Sequence, residues 1–275
     1  MALTKTQQTK WAGTLIGVAQ EASIVASLTD GEYTSDVNGA KIVRVNSITD
    51  PTVGPYSGSI TYSDLTDSET DLIMDQKNFI SFKVEDIDSA QSGVDVKNAA
   101  IKRGGVNLAL AHDAYAFGLY GDAGNQINDG ATPTPGALDV NSKNVVELFL
   151  KAGRIMDEHN VPLQDRNIVI MPWLKEKLIL ASYLRDTAAG DEVYSNGLVG
   201  KVLGFNVFVS NQLTAGHALA LTSRAIAFAN QINKVREMEL EGSFSTGVSA
   251  LDVFGATVMY PDELIDLWVA EKSES

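Results

Sequence analysis

The chain has 275 residues, 44% hydrophobic and 20% charged, a composition that excludes a disordered polymer and leaves room for one large domain or two small ones. Its 35 acidic and 21 basic residues give a net charge of −14, and no basic run exceeds Lys102-Arg103, so a surface that grips phosphates is excluded. With no cysteine, no signal-like apolar core in the polar first ten residues and charge interrupting its apolar windows (Arg224 within 218–232), the chain is expected to be a soluble protein of a reducing cytoplasm without membrane association.

From Trp11, Leu15, Val18, Ala22, Val25 and Leu28 recur at steps of three and four and predict one helix that ends at Asp30-Gly31. The stripe fits either a core helix or an arm docking on a neighbour. Lys41 to Ile48 alternates as a strand. The segment 49–58, with Pro51, Gly54, Pro55 and Gly58, cannot be a regular strand. Ile60 to Leu65 reads as a return strand and Asn78 to Val84 as another, so 39–84 is predicted to be an extended hairpin with a flexible tip. A two-stranded hairpin is marginal in water by itself, and this one needs a surface to lie on.

From Glu85 the period becomes helical. Ile101, Gly105, Leu108, His112, Tyr115 and Leu119 form one stripe, with Val106, Leu110, Ala114 and Phe117 as a second beside it. Gly93 and Gly104-Gly105 are expected to weaken or kink this long helix, each by about 1 kcal/mol relative to Ala, before it ends at Gly121. Residues 121–142 read as loop. Asn141 or Ser142 then caps a helix with Val145, Leu148, Phe149, Ala152, Ile155 and Met156 inward. Asn167 to Met171 is a short buried strand, and Pro172 opens the helix 173–184. After a polar loop at 186–200, strands are expected at 205–210, 219–222, 234–241 and 251–260. The class is α+β, with a compact region near 141–230.

No reactive constellation emerges. His112, His159 and His217 are too far apart in sequence for a zinc pair, and His112-Asp113 reads as a partly buried structural pair. Gly242 to Gly247 is not a nucleophile elbow, and Gly197 to Val202 lacks both the spacing and the hydroxyl of a phosphate loop. Asp64, Asp67, Glu69, Asp71 and Asp75 lack a mid-loop glycine and a final glutamate, so a charged hairpin edge fits them better than a calcium loop. No catalytic, metal or cofactor site is expected, and no enzymatic activity.

Five strings in order, Gly39 to Asn46 with Thr49 to Val53 and Tyr56, Phe79 to Asp88, Asn196 to Asn211, Ile226 to Ile232, and Val253 to Ala256, resemble the major capsid proteins of tailed bacteriophages, the Hong Kong 97-type fold family. The likeness runs from about Trp11 to Leu267. It implies an N-terminal arm (1–38), an extended loop (39–84), a spine helix and peripheral domain (85–140 with late strands 231–260), an axial domain (141–230) and a C-terminal segment (261–275). It further implies a virion protein, assembled in the host bacterial cytoplasm as hexamers and pentamers of itself, enclosing double-stranded DNA without sequence-specific binding. An encapsulin-type shell around cargo protein is the alternative.

Under this resemblance Asp50, Pro51, Thr52, Val53, Pro55, Tyr56 and Trp11 are candidate inter-subunit contacts. The tip 50–59 has no lysine, so the covalent crosslink of some members is not expected here. The arm begins within ten residues of Met1, so scaffolding and portal proteins are expected as separate partners.

Overall fold

The computed structural model describes residues 14–15, 17–19, 22–29, 42–48, 56, 67–85, 96–132, 134–183, 200–240 and 245–273. The helix predicted from Trp11 is not continuous. Ser23 adopts an extended backbone and caps helix α1 (Ile24–Leu28), its hydroxyl accepting from the Ala26 N–H. Periodicity alone could not see this break, because Leu15, Val25 and Leu28 are buried on both sides of it.

Strand β1 (Ile42–Ile48) pairs antiparallel with β2 (Asp67–Ile73), from Ile42 opposite Ile73 to Ile48 opposite Asp67. The predicted return strand at Ile60 to Leu65 lies outside the described residues; the strand that pairs is the one carrying Asp67, Glu69 and Asp71. Among the described residues β1 and β2 form a sheet of their own. Strand β3 (Gln76–Glu85), although next in sequence, leaves that hairpin and becomes an edge of a different sheet.

That second sheet has the order β10-β11-β3, with β10 (Ile226–Glu239) and β11 (Ser245–Val258) as two long antiparallel strands. Both are longer than the sequence predicts. They cross two environments: Ile226, Ala227, Phe228 and Ala229 are buried, while Arg236, Met238 and Glu239 are exposed beyond a register shift at Ile232/Lys234. One periodicity template cannot describe such a strand.

Helix α2 (Val96–Phe117) lies on this sheet, with Ile101 and Leu108 against Ile80, Phe82, Val235 and Ala250. Gly104-Gly105 does not break it. A β-carbon at Gly104 would lie 3.0 Å from Ile80 Cδ1, and one at Gly105 would lie 3.1 Å from Val18 Cβ, so the pair lets the chain's first segment and β3 approach the helix. The first predicted stripe is the inward one. The second is corrected: Val106, Leu110 and Ala114 face outward and only Phe117 is buried, because the buried face widens through Ala109, Asp113 and Ala116 instead.

The third sheet contains β4 (Asn125–Ile127), β5 (Leu138–Val140), β6 (Arg166–Ile170), β7 (Lys201–Val202), β8 (Phe205–Val209), β9 (His217–Thr222) and β12 (Leu264–Glu271). Its order is β4-β12-β9-β6-β8-β7, with β5 also pairing β12. Two corrections arise here. The 121–142 stretch holds two three-residue strands, too short for an alternation signal. The C-terminal segment is a central strand, whose buried residues 264–267 on both faces give no period of two.

Helices α3 (Val145–Glu158) and α4 (Pro172–Tyr183) belong to the same core, which takes in Val145, Leu148, Phe149, Ala152, Met156, Leu174 and Leu178. The N-cap of α3 is Asn144, not Asn141 or Ser142, and its side chain makes no capping bond; Asn141 instead shapes the preceding turn by accepting from the Lys143 and Asn144 N–H groups. Among the described residues no helix is long and apolar enough to cross a membrane.

Candidate inter-subunit surface

Of the residues singled out for contact between copies, Trp11, Asp50, Pro51, Thr52, Val53 and Pro55 lie outside the described residues. Tyr56 is described and is 77% exposed. The hairpin that would carry it is held to the body at its base: Leu72 and Met74 are buried with Ala227 and Ala229, and the Ile73 carbonyl comes so close to Gly255 that a β-carbon there would lie 2.2 Å from it. Just above, the cross-strand pair Ile42 and Ile73 is exposed. This half-exposed pair leaves apolar surface that a neighbouring element can cover.

Two further apolar exposures lie on regular elements. On the β3 face away from the helix, Phe79 is 75% exposed beside its partner Leu251, among Lys77, Ser81 and Lys83. On α2, Val106 and Leu110 face out at a spacing of four.

The polar interior is used for construction. His112 and Asp113 do not pair with each other, because neighbours on a helix point about 100° apart. His112 Nε2 lies 2.6 Å from Asp252 Oδ2, with the ring packed against both Phe228 and Phe254. The second oxygen of Asp252 is buried without a hydrogen-bond partner. Asp113 accepts from the Ser23 hydroxyl and the Ile24 and Val25 N–H groups, and so fastens α1 to α2.

In the third sheet, His217 Nδ1 meets Asp266 at 2.9 Å while Gln126 donates to the same carboxylate. The His217 ring stacks between Tyr120 and Trp268. Glu263 accepts from Thr222 and Arg224. Sequence reading missed these pairs, which join residues 39 to 140 positions apart. Burial raises the Tyr115 phenol above its usual range, with the Asp75 carboxylate adding to the effect.

Among the described residues no group of three or more histidines, aspartates or glutamates is gathered as a metal would require. A groove of about 350 Å³ is lined by Ser81, Phe82, Lys83, Met238, Leu240, Gly247, Val248 and Ser249.

No family model and no curated protein matches the sequence. Solved structures do. One from Mycobacterium phage Che8 superposes with a TM-score of 0.73 at 24% identity, over 89% of this chain and 90% of that one. The capsid of the cyanophage P-SCSP1u gives 0.64 at 19% identity, over 89% and 86%. A virus-like particle from Pyrococcus furiosus gives 0.58 at 11% identity, over 95% and 99%. The chain therefore has an α+β fold of the Hong Kong 97 type. The likeness implied by the five sequence strings holds for nearly the whole length of the chain, at the level of the fold.

Proposed function

We propose that this chain is the major capsid protein of a tailed bacteriophage, a structural subunit that closes an icosahedral head around double-stranded DNA. The observation that carries the reading is the β1–β2 hairpin. It is anchored at its base, exposes Ile42 and Ile73, and among the described residues forms a sheet with no third strand of its own chain. Such an element becomes stable by lying on a neighbour. Permanent interfaces of that kind bury on the order of 2,000–5,000 Å².

In this proposal the subunit comprises an N-terminal arm (1–38), extended loop (39–84), peripheral domain (85–140 and 231–260), axial domain (141–230) and C-terminal segment (261–275). Trp11 and the tip residues Asp50, Pro51, Thr52, Val53, Pro55 and Tyr56 touch neighbouring copies within pentamers and hexamers. Scaffolding and portal proteins are separate chains, assembly takes place in the host cytoplasm, and the mature subunit resides in the virion. The charge of −14 fits a wall that encloses DNA without gripping it, and the subunit performs no catalysis. The alternative, an encapsulin-type shell around cargo protein, is less favoured: the structures from phage Che8 and cyanophage P-SCSP1u superpose at TM-scores of 0.73 and 0.64, the Pyrococcus furiosus virus-like particle at 0.58.

Size-exclusion chromatography and electron microscopy of the full chain test the proposal. Closed particles of megadalton mass are expected when the full chain is produced together with its scaffolding protein, and heads recovered from infected host cells should hold nuclease-protected double-stranded DNA. Particles filled with protein and free of DNA would favour the cellular shell. A stable 29.4 kDa monomer at every concentration would sink both readings.

A further inference from the structure

Strands β4 and β5 both pair with β12, and the loop between them contains Asp129-Gly130. An Asp-Gly pair has a chemistry of its own. The glycine nitrogen can attack the aspartate Cγ: an N–Cγ bond forms, the N–H proton and the carboxyl OH leave as water, and a cyclic succinimide results. Glycine favours this step because no β-carbon shields its nitrogen. Water then opens the ring. Cleavage of the new N–Cγ bond restores aspartate, whereas cleavage of the original peptide bond leaves the chain running through Cγ as isoaspartate. One water is released and one consumed, so neither oxidant nor reductant takes part.

The attack needs a neutral carboxyl, because a carboxylate is a poor electrophile, and a rotation that brings Cγ onto the Gly130 nitrogen. The loop restricts both. Asp129 Oδ1 accepts from the Gly136 N–H at 2.7 Å and the Ala131 N–H at 3.0 Å. These bonds favour the ionised form and hold the carboxyl below its ordinary range. The Gly130 N–H donates to Asn128 Oδ1 at 2.9 Å, and the Asp129 N–H donates to the Gly136 carbonyl at 3.1 Å. A β-carbon at Gly136 would lie 2.8 Å from Asp129 Oδ2, so the carboxylate sits in space that only glycine leaves. Burial plays no part, since Asp129 and Gly130 are both exposed to water.

We propose that Asp129-Gly130 is a latent isoaspartate site, kept closed in the folded chain by its bonds to Gly136, Ala131 and Asn128 and opened when that loop comes undone. Isomerisation there leaves a lasting mark. It adds one backbone atom to the connection between β4 and β5, and so disturbs the spacing by which the loop seats both strands on β12. The proposal concerns the single chain and does not depend on the shell reading.

Peptide mapping of the full-length chain tests it, with isoaspartate read as a separated peptide of unchanged mass and by enzymatic methylation of the isoaspartyl carboxyl. Mapping also keeps the site apart from Asp30-Gly31, the other Asp-Gly pair of the sequence. Chain held unfolded in guanidinium should accumulate isoaspartate at Asp129 more than roughly tenfold faster than folded chain at the same pH and temperature, the rate equivalent of losing several hydrogen bonds together. Asn128→Ala removes the acceptor of the Gly130 N–H, and Gly136→Ala pushes the Asp129 carboxylate off its donor. In each variant, shown to be folded by its unfolding transition, the rate should rise roughly three- to tenfold, the equivalent of one such bond. A rise in either folded variant supports the lock. Equal rates in folded and unfolded wild type, or the wild-type rate in both folded variants, would overturn the proposal. Should neither variant fold, the wild-type comparison decides.

Discussion

Asp113 is 1% exposed and its carboxylate accepts three hydrogen bonds, from Ser23, Ile24 and Val25. Removing it leaves buried donors without partners at the start of α1. Asp113→Ala is therefore expected to lower unfolding stability by about 3 kcal/mol, seen as a shifted urea midpoint, while Asp113→Asn, which keeps an acceptor, should lose less. At the surface, Asp129 accepts from the N–H groups of Gly136 and Ala131, and these bonds hold its carboxyl below the ordinary aspartate value. The sign follows: the ordering of this loop is fully present above the usual carboxylate range and is lost as the pH falls through the lowered value. NMR of the Gly136 amide in unassembled subunits should show a transition displaced to lower pH than that of a free aspartate, and Asp129→Asn should abolish it.

Between elements, the joint of hairpin and body is the most sensitive place. Gly255 on β11 leaves the space that the Ile73 carbonyl fills, and any side chain there must push β2 away. Gly255→Ala is expected to cost about 1–3 kcal/mol and to separate Leu72 and Met74 from Ala227 and Ala229. Proteolysis near 73–76 should quicken in this variant; an unchanged rate would show that the hairpin base is not held as described. Gly104-Gly105 has the same character on α2. The sequence makes it look like a weak point, and only the neighbours Ile80, Leu15 and Val18 make it a packing surface.

For the whole molecule, the contrast lies between the third sheet, enclosed by α3, α4 and its own buried strands, and a hairpin with exposed isoleucines. If neighbouring copies complete the hairpin, amides of 42–48 and 67–73 should exchange with deuterium much faster in dissociated subunits than in particles, while those of Arg166–Ile170 stay slow in both. Equal exchange of the hairpin in the two states would remove the main support for the shell proposal.

By itself the sequence determined the mixed class, the inward stripe of α2, the buried face of α3, the proline start of α4 and the strands near 42–48, 76–85 and 205–209, because each of these takes its period from one uniform environment. It also carried the five strings that resembled the capsid fold. Only the tertiary structure decided that β3 leaves the hairpin for the late strands, that Leu264–Glu271 is central, that Val106 and Leu110 face out, and that His112 meets Asp252 instead of its neighbour. The reason is physical: periodicity records which face of an element is dry, but not which distant segment keeps it dry. Partners 39 to 140 residues apart are chosen by the closed packing of the chain as a whole.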